Sequence, residues 1–137
     1  MNELTKRERA RTERNNARKL LGIQVEEVEP GRAVLSMPAQ EHILQSSGVV
    51  HGGFLSLLAD SAISTALRSV LDEDAAITTV ELNINFLRPA RAGMITGCGT
   101  LVHQGRTLAV GTAEIKDESG RLLACGRATF FIKKKNE

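Results

Sequence analysis

GVVHGGFLSLLADSAISTALRSVL, residues 48–71, is the stretch whose reading decides the fold. It opens in a glycine-rich turn and runs on as the most helix-like segment of the chain. Leu55, Ala59, Ala62, Ile63, Ala66 and Val70 recur at helical spacing and form one face. Three of these are alanine, so whatever packs there can come very close. Ser56, Asp60, Ser64 and Arg68 follow one another every four residues and make a second, polar line. Phe54, Leu57, Leu58, Leu67 and Leu71 fill most of what remains. A helix this apolar all round is buried rather than laid on a surface. Twenty residues from Gly52 onward would span roughly 30 Å, about the width of a small domain.

Upstream, residues 3–20 read as one polar helix. Lys6, Arg7, Arg9, Arg11, Arg14, Arg18 and Lys19 stand against Glu3, Glu8 and Glu13. Leu4, Ala10, Ala17, Leu20 and Leu21 give it only a thin apolar stripe. It is either a solvated helix that docks by its last turn or an arm that touches phosphate or another subunit. Residues 23–29 alternate apolar and acidic, Pro30-Gly31 marks a turn, and 33–37 form the return strand, stopped by Pro38. A polar loop, 38–47, holds His42 and Gln45.

Downstream of the acidic break at 72–74 come four strand-like segments, 76–87, 94–103, 107–115 and 122–132. The first alternates through Val80, Leu82, Ile84 and Phe86. The joints are short enough for antiparallel hairpins. Glycines at 97, 99, 111 and 126 fit close backbone approach or bends, and the tail 133–137 reads as solvated. Runs of strands with one long helix indicate an α+β fold. An antiparallel sheet of five or six strands curling around the helix would cover it. The expected organisation is a basic N-terminal helix, 1–21, and one domain, 22–137.

Composition narrows the function. The chain has 137 residues, a net charge of +2, four Phe, and neither Tyr nor Trp. Scarce aromatics argue against a base-stacking surface for nucleic acid. Cys98 and Cys125 form no CxxC pair and read as small buried thiols. No apolar run is long enough for a membrane span or a secretory signal, so a cytoplasmic setting is the default. Phosphate-binding glycine loops, HExxH and GxSxG are missing, and His42, His51 and His103 show no ligand spacing. No metal and no separate cofactor is expected.

Asp60 stands out, because an Asp in an apolar helix has poor propensity and a high desolvation cost. None of its helix-surface neighbours, Ser56, Leu57, Ile63 and Ser64, is a cation. It either caps a loop amide or pairs with a distant arginine, or it is a partly buried general base or nucleophile. His51-Gly52-Gly53 opens the same helix. A helix N-terminus presents unpaired amides and partial positive charge, and glycine lets a ligand approach the backbone. Such an amide suits a carbonyl oxygen gaining negative charge. Asp60 lies two turns further on, too far to share a small substrate with the same chain's turn without careful geometry. The two groups can instead come from different subunits.

Taken together, GVVHGGFLSLLAD, ELNINFLRPARAG and GRTLAVGTAEI resemble the hotdog-fold acyl-CoA thioesterases of the PaaI-like (phenylacetic acid degradation) type. The resemblance runs from about Gly22 to Ile132. It implies a long helix wrapped by an antiparallel sheet, a dimer with a continuous sheet, often a homotetramer built as a dimer of dimers, and active sites at the subunit interface. Residue by residue, it implies Asp60 as the catalytic carboxylate, Gly52 as the oxyanion-hole amide and His51 as the histidine ordering the turn. It implies Gln45 orienting the thioester or the attacking water, Ser64 as a helix hydroxyl near the reacting centre, and Thr78 positioning water. Gly53, Arg88 and Arg106 would lie along CoA, whose phosphates call for cations; Arg91, Arg127, Lys133 and Lys134 are further candidates. The implied activity is hydrolysis of a small or medium acyl-CoA to free acid and CoA. A non-hydrolytic acyl-CoA binding module is the alternative, but it has no need of the carboxylate. A dehydratase on this fold would pair a His with the acid in a different motif. The implied partners are the acyl-CoA substrate and further copies of the chain, with no nucleic acid and no membrane.

Overall fold

The computed structural model describes residues 1–135. The single helix expected over 3–20 is two helices, α1 (Glu3–Glu13) and α2 (Asn16–Leu20). Asn15 leaves the helical backbone and caps α2, its side chain accepting from the Arg18 N–H, as Asn2 caps α1 from Thr5. Short amide side chains make such local bonds instead of continuing a helix. The docked face of this arm also differs from the apolar stripe. Thr5, Glu8, Thr12 and Arg18 are buried, whereas Ala10, Ala17 and Leu20 are exposed.

The long helix, α3 (Gly52–Arg68), has 17 residues, about 25 Å. It is shorter than its apolar pattern suggests. The Ser69 hydroxyl donates to the Ala66 carbonyl and accepts from the Gly31 N–H at 2.8 Å, tying off the last turn. Val70 therefore lies beyond the helix and is exposed.

Six strands wrap α3: β1 (Gln24–Glu29), β2 (Arg32–Pro38), β3 (Ala76–Phe86), β4 (Met94–Gln104), β5 (Leu108–Lys116) and β6 (Leu122–Lys133). They form one antiparallel sheet in the order β1-β2-β4-β5-β6-β3. This is the expected hotdog arrangement of a helix wrapped by a six-stranded sheet, with β1 and β3 as its edges. Lys133, Lys134 and Lys135 are exposed, and the last two residues of the expected solvated tail lie outside the described residues.

Closeness of approach holds the centre together. Leu58, Ala59, Ala62, Ile63, Ala66 and Leu67 are fully buried. Opposite them, a Cβ on Gly99 would overlap the Ala62 carbonyl, and one on Gly111 would lie 2.6 Å from Ile63 Cγ2. At Gly99 the helix backbone thus rests on bare strand backbone, and at Gly111 the Ile63 side chain does, where interior packing leaves no room for an added atom.

The phase of β3 matters for the site. Residues opposed across a sheet share a face. Ile77, Thr79, Leu82, Ile84 and Phe86 oppose Ile132, Phe130, Ala128, Gly126 and Ala124 of β6. Of these, Ile132, Phe130, Ala128 and Ala124 are buried, so this set faces inward. Val80, expected in phase with Leu82, instead occupies a bulge between Thr79 and Glu81 and is 61% exposed. One extra residue reverses the alternation upstream of it. Thr79 therefore faces in, while Thr78 opposes the exposed Phe131 on the outer face.

Gly99→Ala should reduce the unfolding free energy by about 1–3 kcal/mol, through a backbone that has to move to admit one methyl. Denaturant unfolding at fixed protein concentration measures this. A change below about 0.5 kcal/mol, the range of ordinary surface substitutions, would show that the contact yields without cost.

Candidate active site

Asp60 sits half-buried in the polar line of α3. Its Oδ1 accepts from the Thr79 hydroxyl at 2.7 Å. The residue reaching Asp60 is therefore Thr79 and not Thr78, and the β3 bulge is the reason. Asp60, Ser61, Ser64, Ile77 and Thr79 line a cleft of about 630 Å³ closed on one side by the α1–α2 arm. Arg18 crosses from that arm. Its guanidinium donates to Thr12 Oγ1 at 3.0 Å, Ser64 Oγ at 3.2 Å and the Ser61 carbonyl at 3.3 Å. Burial lowers the Arg18 pKa, and the charges of Glu8 and Asp60 oppose that shift. Ser64 is in the cleft as expected, but its hydroxyl is engaged. It donates to the Ser61 carbonyl and accepts from Arg18.

The start of α3 forms a second cleft, of about 420 Å³, lined by Gln45, Val50, Gly52, Leu55, Phe86 and Arg88 among others. His51 is the N-cap. Its Nδ1 accepts from the Gly53 N–H at 2.9 Å, and its ring meets the edge of Phe54. Capping consumes the second amide of the helix and leaves the first, the Gly52 N–H, without an acceptor among the described residues. The inward Phe86 ring lies against Gly52, so close that a Cβ there would be 3.0 Å from its Cζ. Gln45 is held beside this turn by a loop in which its N–H donates to the Val49 carbonyl and its carbonyl accepts from the Gly48 N–H.

One chain thus brings Gly52 and Gln45 together in one cleft, with the His51–Gly53 cap adjoining it in the chain, and Asp60, Ser64 and Thr79 in another. Eight residues of helix, about 12 Å, separate Gly52 from Asp60. Arg88 borders the Gly52 cleft and donates to the Leu122 carbonyl at 2.8 Å. Arg106, in the turn between β4 and β5, lines neither cleft. Among the described residues no group of three or more His, Cys, Asp or Glu is placed to hold a metal ion, and no helix is long and apolar enough to cross a membrane.

Two residues escaped the sequence reading. Thr79 was hidden by the bulge. Arg18 was one of seven basic residues on a helix whose docking face carries no hydrophobic signal. Its one local mark is its place three residues after the Asn15 cap, in the short helix α2.

A family model described as the thioesterase superfamily matches residues 47–124, from the loop before α3 to the start of β6. The 1,4-dihydroxy-2-naphthoyl-CoA hydrolase of Listeria monocytogenes is 32% identical over 85% of this chain and 95% of its own. The crystal structure of a thioesterase from Haemophilus influenzae superposes with a TM-score of 0.83 at 30% identity, over 88% of this chain and 85% of that one. The PaaI protein from the phenylacetic acid degradation operon of E. coli superposes with a TM-score of 0.81, also at 30% identity, over 90% of this chain and 90% of its own. With a carboxylate and a free amide placed on one helix inside this fold, the chain belongs to the thioesterase superfamily and is a PaaI-like thioester hydrolase.

Proposed function

We propose that the enzyme hydrolyses a small or medium acyl-CoA to the free acid and CoA, in sites that form between two copies of the chain. The observation carrying this reading is the separation of the two clefts along β3. Thr79, at the Asp60 cleft, and Phe86, at the Gly52 cleft, are seven residues or about 23 Å apart on one strand. That strand is a sheet edge, and Val80, Phe86 and Leu87 along it are more than half exposed. A long apolar edge is a template for another strand. Antiparallel pairing with a second β3 about a two-fold axis exchanges the strand ends, so it sets one chain's Asp60 cleft against the partner subunit's Gly52 cleft. The same operation makes the second site. A dimer of such dimers is compatible with this arrangement.

In that site the thioester carbonyl oxygen receives the Gly52 N–H. As negative charge develops on the oxygen, such a donor is worth roughly 2.7–4 kcal/mol. Asp60 either takes a proton from water as the water attacks the carbonyl carbon, or attacks that carbon itself to give a mixed anhydride that water then opens. In both routes the carbon–sulfur bond breaks and the CoA thiolate leaves and is protonated. Thr79 fixes the carboxylate by donating to one oxygen and leaves the other for chemistry. Gln45 orients the thioester or the water, His51 holds the turn through Gly53, and Arg88 stands near the CoA phosphates. The relative named for 1,4-dihydroxy-2-naphthoyl-CoA supports a CoA thioester as substrate class.

Thiol release from a panel of acyl-CoAs tests this. Asp60→Asn and Asp60→Ala should lower kcat by about 10²–10⁴, the usual worth of a positioned proton-transfer group. Unchanged rates would make Asp60 structural. Binding of acyl-CoA without thiol release from any member would point to a binding module instead.

The composite site has its own check. Gly52→Pro removes the N–H at the cost of pushing back the Phe86 ring, since proline is tolerated at the first helical position and His51 already has the extended backbone required before it. Reassociated mixtures of Gly52→Pro and Asp60→Asn subunits should regain about a quarter of wild-type activity, since half the dimers are mixed and each mixed dimer holds one intact site. No recovery would place both groups in one chain.

Thr79→Val should lower kcat about tenfold, the worth of one hydrogen bond to a charged group. Thr78→Val should stay within about twofold. The reverse order would overturn the inward phase of Thr79.

A further inference from the structure

The Asp60 cleft has a second end, and it is basic. Arg11, Arg14 and Arg18 from the arm and Arg68 from α3 line it, and Asp60 is the one carboxylate among its lining residues. Glu8, fully buried behind them, is already engaged, with its two oxygens at 3.1 Å from Arg7 Nε and 3.5 Å from Arg11 Nε. Arg68 donates to the Ala75 carbonyl. Arg18 is 7% exposed, and its hydrogen-bond acceptors are all neutral. The Arg14 side chain is exposed and has no partner among the described residues. Burial pushes the pKa of both Arg18 and Arg68 down, with neighbouring arginine charges adding to the shift and the Glu8 charge opposing it. Positive charge here is incompletely compensated. Ile77 and Phe130 are the apolar residues of the cleft's lining.

We propose that this end of the cleft is a subsite for an anionic group of the substrate, with Arg14 as its free ligand and Arg18 behind it. The proposal rests on the acyl-CoA reading above. Two anions have the right chemistry, a carboxylate at the far end of the acyl group and a phosphate of CoA. Guanidinium forks bind either in bidentate fashion. The α1–α2 arm then has a task, which is to carry the ligand-binding charges to the polar line of α3.

Four thioesters separate the two sources: glutaryl and pentanoyl groups, each carried on CoA and on N-acetylcysteamine, which has no phosphate. If the acyl carboxylate occupies the subsite, Arg14→Glu lowers the glutaryl-to-pentanoyl ratio of kcat/KM about tenfold or more on both carriers. If a CoA phosphate occupies it, the same variant lowers the CoA-to-N-acetylcysteamine ratio by a similar factor for both acyl groups. Arg14→Lys, which keeps the charge, retains most of whichever ratio moved. Both ratios unmoved within about twofold in Arg14→Glu and Arg14→Gln overturn the subsite and leave the hydrolase reading standing. Should none of the four be turned over, the substrate reading fails separately and calorimetry with inorganic pyrophosphate decides the subsite. Binding weakened about tenfold by Arg14→Glu supports it, and binding that is absent in the wild type or equal in the two proteins overturns it.

Discussion

A helix that is apolar on nearly every side has to be covered, and the backbone contact between α3 and the middle of the sheet makes that cover possible. Ala59, Ala62 and Ala66 bring the helix surface down almost to its backbone. Gly99 and Gly111 do the same for the strands they meet. Neither set of small residues would suffice alone. With a methyl on the strands or a larger side chain on the helix, the two layers would have to shift to admit it. Close packing of this kind is unforgiving to single atoms, because surrounding groups have no free volume to move into.

That contact also decides where chemistry can occur. With most of α3 committed to the sheet, its polar line of Ser56, Asp60, Ser64 and Arg68 is the side left for other groups. The α1–α2 arm occupies part of it, attached by polar bonds more than by apolar burial. Arg7 donates to the Arg68 carbonyl at 2.6 Å, Arg9 to the Val25 carbonyl at 2.7 Å, and Asn2 to the Val28 carbonyl at 2.9 Å. Thr5 exchanges hydrogen bonds with the Val28 backbone. Directional bonds to fixed carbonyls orient the arm, whereas a buried ion pair such as that around Glu8 adds little net stability after desolvation. Orientation is what a cleft wall needs, because it puts Arg18 across Ser64 and next to Asp60.

The two ends of α3 carry different resources. Its start offers an amide made available by geometry, since the His51 cap serves Gly53 and leaves Gly52. Its third turn offers a carboxylate held by Thr79. Helix rise keeps the two apart within one chain. The exposed β3 edge runs between the clefts, so the surface that most needs a partner is also the one that can unite them.

Much of this was legible in the residues themselves. Periodicity of 3.6 and of 2 located α3 and the strands, because burial on one face imposes those periods whatever the partner. Asp60 and the His51-Gly52-Gly53 turn stood out because their types conflict with an ordinary buried helix. The rest depended on tertiary structure. Alternation through Val80, Leu82, Ile84 and Phe86 puts Thr78 inside, yet pairing with β6 bulges the strand at Val80 and puts Thr79 there instead. A bulge is a property of two strands in register, and one strand's pattern cannot contain it. The arm's docking face was hidden for a similar reason. Thr5, Glu8, Thr12 and Arg18 look like solvent residues until the Val28 backbone meets Thr5, arginines of the arm meet Glu8 and Thr12, and Ser61 and Ser64 of α3 meet Arg18. Local sequence determined which segments are helix and strand and which residues conflict with their surroundings. Only the packed structure decided which polar groups meet, because a hydrogen bond requires both partners in place and the chain supplies them far apart.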